Sequence, residues 1–192
     1  MADRKASSPA AELLFRGDHL NLMRRRGWEY ADHRSATESV MIVALTAPGG
    51  IVLVEEFRPS VDAAVISLPA GLSGDEGPER PEEAARRELR EETGYAAPSL
   101  EPIGRGPGSA GASSEMVTFF LAADARRVGE QAPADRGLLR VHVVGLARLP
   151  EWTREQEASG TLVDPKIWAG LYLARARSAD SVRESGDPTP RP

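Results

Sequence analysis

The stretch from Gly71 to Tyr95 constrains this chain more than any other. A segment rich in Gly and Pro, Gly71-Leu-Ser-Gly-Asp-Glu-Gly-Pro-Glu-Arg80, leads through Pro81 into a run from Glu82 to Thr93 that contains neither. That change of composition predicts a loop feeding one helix. Pro81 suits the first helical position, where its missing N–H would have had no partner, and Glu82 and Glu83 suit the positive end of the helix dipole. Gly94 is the natural stop, because glycine takes up a left-handed cap without a steric cost. Within the helix, Glu88, Glu91 and Glu92 stand at i, i+3 and i+4 and share one face. Leu89 and Ala85 flank that face and can pack inward, Arg86 and Arg90 point to solvent, and Arg87 can reach Glu91 one turn on. Like charges at this spacing repel, so the acidic face costs an isolated helix free energy. It reads either as a solvated face laced with i,i+4 pairs or as a divalent cation site. Hard carboxylate oxygens suit Mg²⁺, with Mn²⁺ as the alternative.

The rest of the chain sets bounds. Its 192 residues suit one domain of ordinary size, and 24 basic against 29 acidic residues, a net charge of -5, give no reason to expect nucleic-acid binding. There is no apolar run of membrane-spanning length, no apolar core in residues 1–10, and no cysteine for a disulfide or thiolate metal site. The expectation is a cytoplasmic protein with no membrane partner. Residues 1–10 and 178–192 are small, polar and Pro-rich and read as disordered tails. Over 11–36, three short apolar pieces around Leu13, Leu20 and Trp28 predict an antiparallel β meander. The main unit then spans 37–177. Its strand candidates are Val40 to Leu45 and Ile51 to Val54, flanking the hairpin signature Ala47-Pro-Gly-Gly50, then Val65 to Leu68, Met116 to Leu121 and Val141 to Leu146. Asp164-Pro165 opens a helix to about Arg177, on which Ile167, Trp168, Leu171 and Leu173 or Ala174 recur near helical period. Strands with few helices in this order predict an α+β sandwich with a mixed sheet. Trp152 and Trp168 read as packing residues, and His19, His33 and His142 have no ligand spacing.

Arg87-Glu88-Leu89-Arg90-Glu91-Glu92-Thr93-Gly94-Tyr95 resembles the core of the Nudix box, Arg-Glu-apolar-x-Glu-Glu-x-Gly-apolar, and the Glu which that family places eight residues before the Arg is Glu79. The family's opening Gly would fall at Ser73; Gly71, in Leu68-Pro69-Ala70-Gly71, fits if the loop carries two extra residues. The flanks Glu55-Glu56-Phe57-Arg58-Pro59 and Ser109-Ala110-Gly111-Ala112-Ser113-Ser114-Glu115 resemble the ADP-ribose pyrophosphatase and nucleotide-sugar branch, with Ala110 where that branch has Pro.

The resemblance implies a Nudix-type α/β/α sandwich. It implies hydrolysis of the pyrophosphate bond of a nucleoside diphosphate linked to a sugar, with ADP-ribose giving AMP and ribose 5-phosphate. Glu88, Glu91, Glu92 and the Ala70 carbonyl would hold metal that activates water, with Arg87 beside them. Arg58 would bind the diphosphate, Trp28 and Glu29 the base, and Arg34, Gly111 and Glu115 further parts of the substrate. The N-terminal segment would exchange contacts across a homodimer, a role that suits a meander too small to make its own core. The Glu that often serves this family as base falls at Gly137, leaving Asp135, Glu130, Glu115 or a box carboxylate in its place. Two alternatives stand beside the leading reading: the same chemistry on a UDP-hexose or GDP-mannose, and a weakly catalytic nucleotide-binding module, motivated by Gly137, Ser73 and Ala110.

Overall fold

The computed structural model describes residues 9–34, 38–74, 77–132 and 139–184. Strands β1 (Glu12–Arg16), β2 (Leu20–Arg25) and β3 (Trp28–His33) form the expected antiparallel meander. Its second turn has only Arg26 and Gly27 between paired strands, both with positive φ, which matches the right-handed twist of a tight hairpin.

The main sheet is built on β4 (Glu38–Thr46) and β5 (Gly50–Arg58), the hairpin predicted around Pro48. These strands pair only near the turn and then splay. The next strands, β6 (Ala63–Ser67) and β7 (Ala70–Ser73), fill the fork: β6 pairs with the far half of β5, and β7 with Glu38 to Met41 of β4. The Ile42 N–H donates to the Pro69 carbonyl at 2.9 Å, fixing the link between β6 and β7 inside the fork.

Helix α1 (Pro81–Thr93) follows, then the short β8 (Tyr95–Ala96), β9 (Glu101–Pro107), β10 (Met116–Ala122) and the short β11 (Arg126–Arg127). β12 (Arg140–Gly145), α2 (Leu149–Ala158), β13 (Leu162–Val163) and α3 (Lys166–Glu184) complete the chain. The sheet is mixed: β10 runs parallel to β4, and β12 antiparallel to β5.

Both faces of β4 are buried, which is why its sequence reads as a continuous apolar run. Val40, Ile42 and Ala44 pack with Ala84, Ala85 and Leu89 of α1, while Met41 and Val43 pack on the opposite face with Leu149 of α2 and Ile167 of α3. The result is the predicted α/β/α arrangement.

α1 begins and ends as its residues dictate. The Arg80 backbone N–H donates to Glu83 at 3.0 Å, Pro81 opens the helix, and Gly94 caps it at φ 72. On α3 the inward face is Ile167, Gly170, Leu171 and Ala174, whereas Trp168 is 40% exposed and does not belong to the core. Trp152 does pack, against the core on the α2 and α3 face of the sheet and the His142 ring. α3 continues past Arg177 to Glu184. No helix among the described residues is long and apolar enough to cross a membrane.

Candidate active site

The fork between β4 and β5 brings the acidic face of α1 against the Ala70-Gly71 step of β7. The Ala70 N–H donates to Glu92 Oε2 at 3.0 Å. Glu88 lies directly on Gly71: a Cβ built there would stand 2.0 Å from Glu88 Oε1, so only glycine leaves room for that carboxylate. Arg87 fastens the preceding loop to the helix. It donates to both oxygens of Glu79 at 3.1 Å, to Glu88 at 2.7 Å, to Glu91 at 3.2 Å and to the Leu72 carbonyl at 3.2 Å. Glu79 above all, then Glu88 and Glu91, holds its guanidinium well above its ordinary pKa.

Glu92 carries the electrostatic signature of the site. Burial pushes its carboxyl up to about 8, and the charges of Glu88 and Glu56 push the same way, while the Ala70 N–H and Arg58 oppose them. Glu56 and Arg58 therefore belong to the same cluster, and the Arg58 Nη2 lies 3.0 Å from Glu56 Oε2 at the end of β5. Sequence reasoning left Glu56 without a role; the signal available was period two on a strand, which puts it on the same face as Arg58.

The donor set fits a hard divalent cation: several carboxylates crowd one another, and one of them is driven toward its neutral form. Among the described residues, no three acidic or imidazole groups are gathered as they would be around an ion. Glu88 and Glu91 turn to Arg87 instead, and Glu92 turns to Ala70.

The remaining residues lie in three other places. Loop 109–115 is laced to β3 by the Ala31 N–H to the Ala112 carbonyl at 2.8 Å and by the Ser114 N–H to the Ala31 carbonyl at 3.0 Å. Trp28 is 63% exposed, and its indole N–H donates to the Gly111 carbonyl at 3.1 Å, which fixes the ring and leaves it accessible to a ligand. Glu115 accepts from the Ser39 hydroxyl and lies 3.9 Å from His33. By the alternation of β4, Ser39 faces away from α1, so Glu115 belongs to the opposite face of the same end of the sheet.

Glu29 is paired with Arg24 at 2.8 Å, and Arg34 donates to the Gly17 and Asp18 carbonyls at 3.3 and 3.0 Å, where it ties down the first turn of the meander. Glu130 is exposed and lines a cleft on the outer side of α1 with Glu91, Arg87 and Arg90. Asp135 and Gly137 lie outside the described residues. His142 is bonded to Glu55 at 2.8 Å, remote from the box in its contacts.

Residues 36–163 match the family model for the NUDIX domain. The ADP-ribose pyrophosphatase of Bacillus subtilis (strain 168) is 37% identical over 97 residues, 50% of this chain and 51% of that one. The ADP-sugar pyrophosphatase of Mus musculus is 34% identical over 138 residues, 67% of this chain and 61% of the relative. The ADP-ribose pyrophosphatase of Mycobacterium tuberculosis is 37% identical over 101 residues, 53% of this chain and 47% of the relative. The chain thus spans about half to three-fifths of the length of these relatives. A solved structure described as an ADP compounds hydrolase superposes with a TM-score of 0.68 at 21% identity, covering 97% of this chain and 98% of that one, a match of fold.

Proposed function

The chain belongs to the Nudix family, and from that premise we propose that it hydrolyses the pyrophosphate bond of a nucleoside diphosphate sugar, ADP-ribose foremost, to give AMP and ribose 5-phosphate. The observation that carries this reading is the packing of Glu92 and Glu88 on Ala70-Gly71 with Glu56 and Arg58 beside them. The names of the relatives support the adenine and ribose side of the assignment.

Glu88, Glu91, Glu92 and the Ala70 carbonyl would hold the metal. A bound Mg²⁺ or Mn²⁺ would neutralise diphosphate charge and make a water nucleophilic at neutral pH. Arg58, about half exposed, has N–H donors left for phosphate oxygens and is suited to charge that develops on the leaving phosphate. Trp28 offers an open indole face for the base. Within the described residues the candidate bases are Glu130, beside Glu91 in the outer cleft, Glu115 and a box carboxylate. Glu29 and Arg34, the other expected substrate contacts, are held within the meander by Arg24 and by the Gly17 and Asp18 carbonyls. The meander leaves Leu13, Phe15, Leu20 and Leu22 exposed, apolar surface that suits a second copy of the chain.

Purified protein is to be incubated with ADP-ribose, UDP-glucose and GDP-mannose in Mg²⁺, and the products resolved by chromatography. The expected order of turnover places ADP-ribose first. Faster turnover of UDP-glucose or GDP-mannose would reassign the base and sugar while keeping the chemistry.

A further inference from the structure

Glu56 and Arg58 leave the same face of β5, the one that carries α1, and their pairing at 3.0 Å occurs with the Glu56 side chain only 19% exposed. The second cation of the cluster, Arg87, is committed to three carboxylates and a carbonyl. Among the described residues around Glu92, then, Glu56 is answered by Arg58, while Glu88 shares Arg87 with Glu79 and Glu91, so the carboxylates outnumber the two guanidinium groups. A diphosphate approaching this face meets a net negative field, and the guanidinium with donors to spare for it already has its charge offset by Glu56.

We propose that Glu56 is a charge gate on substrate binding: it holds Arg58 as its counter-ion, so the nucleoside diphosphate binds tightly only after a divalent cation has offset the carboxylates. This rests on the nucleotide-sugar reading of the site. Glu56 acts through Arg58 and is a positioning residue. Glu56→Gln keeps an oxygen to accept from the Arg58 N–H and removes the charge, so it separates the gate from a packing role.

The test is calorimetric titration of ADP-ribose into the full chain in EDTA, for wild type, Glu56→Gln, Arg58→Ala and the double variant. The expected result is weak binding by wild type and at least about tenfold tighter binding by Glu56→Gln, with that gain largely lost in the Arg58→Ala background. Glu56→Gln binding no tighter than wild type, or an equal gain with and without Arg58, overturns the gate. Glu56→Ser repeats the comparison if the Gln variant loses its fold by circular dichroism. Wild-type turnover in Mg²⁺, measured in parallel, separates the two claims. Its absence removes the ADP-ribose hydrolysis reading, whereas the EDTA titrations judge the gate alone.

Discussion

Glu92 concentrates the cost and the use of the site in one carboxyl. Its folded value of about 8, against an ordinary 4.5, is raised first by burial. An acid raised in this way contributes its full stability below the unfolded value and loses it as pH rises through the folded one. The metal-free protein is therefore expected to lose several kcal/mol between about pH 4.5 and pH 8, at about 1.4 kcal/mol for each pH unit crossed. Thermal melts in EDTA across that range check this, and a flat profile would contradict the burial of Glu92. Glu92→Gln should remove the pH dependence and melt above wild type at pH 8, while slowing hydrolysis of ADP-ribose by about a thousandfold or more. Stability gained and activity lost in one variant is the mark of a site held under electrostatic strain. Arg87 shows the opposite balance. Arg87→Ala leaves Glu79, Glu88 and the Leu72 carbonyl without their donor, and is expected to cost about 1–3 kcal/mol in urea denaturation. At this scale the spacing of Glu88, Glu91 and Glu92 was legible in the sequence because i, i+3 and i+4 share a helix face. The reach of Arg87 to Glu91 was legible in the same way, at i,i+4; the turn of Glu92 toward the Ala70 N–H and the approach of Glu56 and Arg58 were not, since they depend on how β7 and β5 pack against α1. Arg34 shows the same limit: its turn contacts come from the register of β1 to β3, which no local pattern encodes.

Among the elements, β7 and α1 form one unit joined at Gly71. Gly71→Ala would drive a methyl into Glu88 and displace the carboxylate or the helix. Turnover is expected to fall by about ten- to a hundredfold with a smaller change in melting temperature, and full turnover would contradict the packing of Glu88 on this strand. α1 was legible end to end because Pro81, the first-turn acids and Gly94 all agree with its apolar face. β4 and β5 were legible because burial on both faces leaves an unbroken apolar run. β9 was not: Glu101-Pro-Ile-Gly-Arg-Gly-Pro107 carries two Pro and two Gly, and only its pairing with β10 at the sheet edge makes it a strand. α2 was not legible either, because its inward contacts are few, with Leu149 and Thr153 buried and Trp152 only partly so. Trp168 reads inward by period but sits at the margin of the α3 stripe, 40% exposed, while Gly170 lets the helix approach Val43.

At the scale of the molecule, the meander and the sandwich meet through β3 and loop 109–115, so Trp28 is held by the loop that carries Gly111 and Glu115. The meander cannot bury Phe15, Leu13 and Leu20 by itself. Sedimentation analysis is therefore expected to find a homodimer, and Phe15→Glu to move it toward monomer. A wild-type monomer at micromolar concentration would contradict that use of the surface. Box, fork and loop share one end of the sheet, and that end is the proposed pyrophosphatase site. The most direct test is chromatography of ADP-ribose after incubation with the purified chain in Mg²⁺ and, separately, in EDTA. AMP and ribose 5-phosphate in Mg²⁺ with neither in EDTA is the expected result; intact ADP-ribose under both conditions would contradict it.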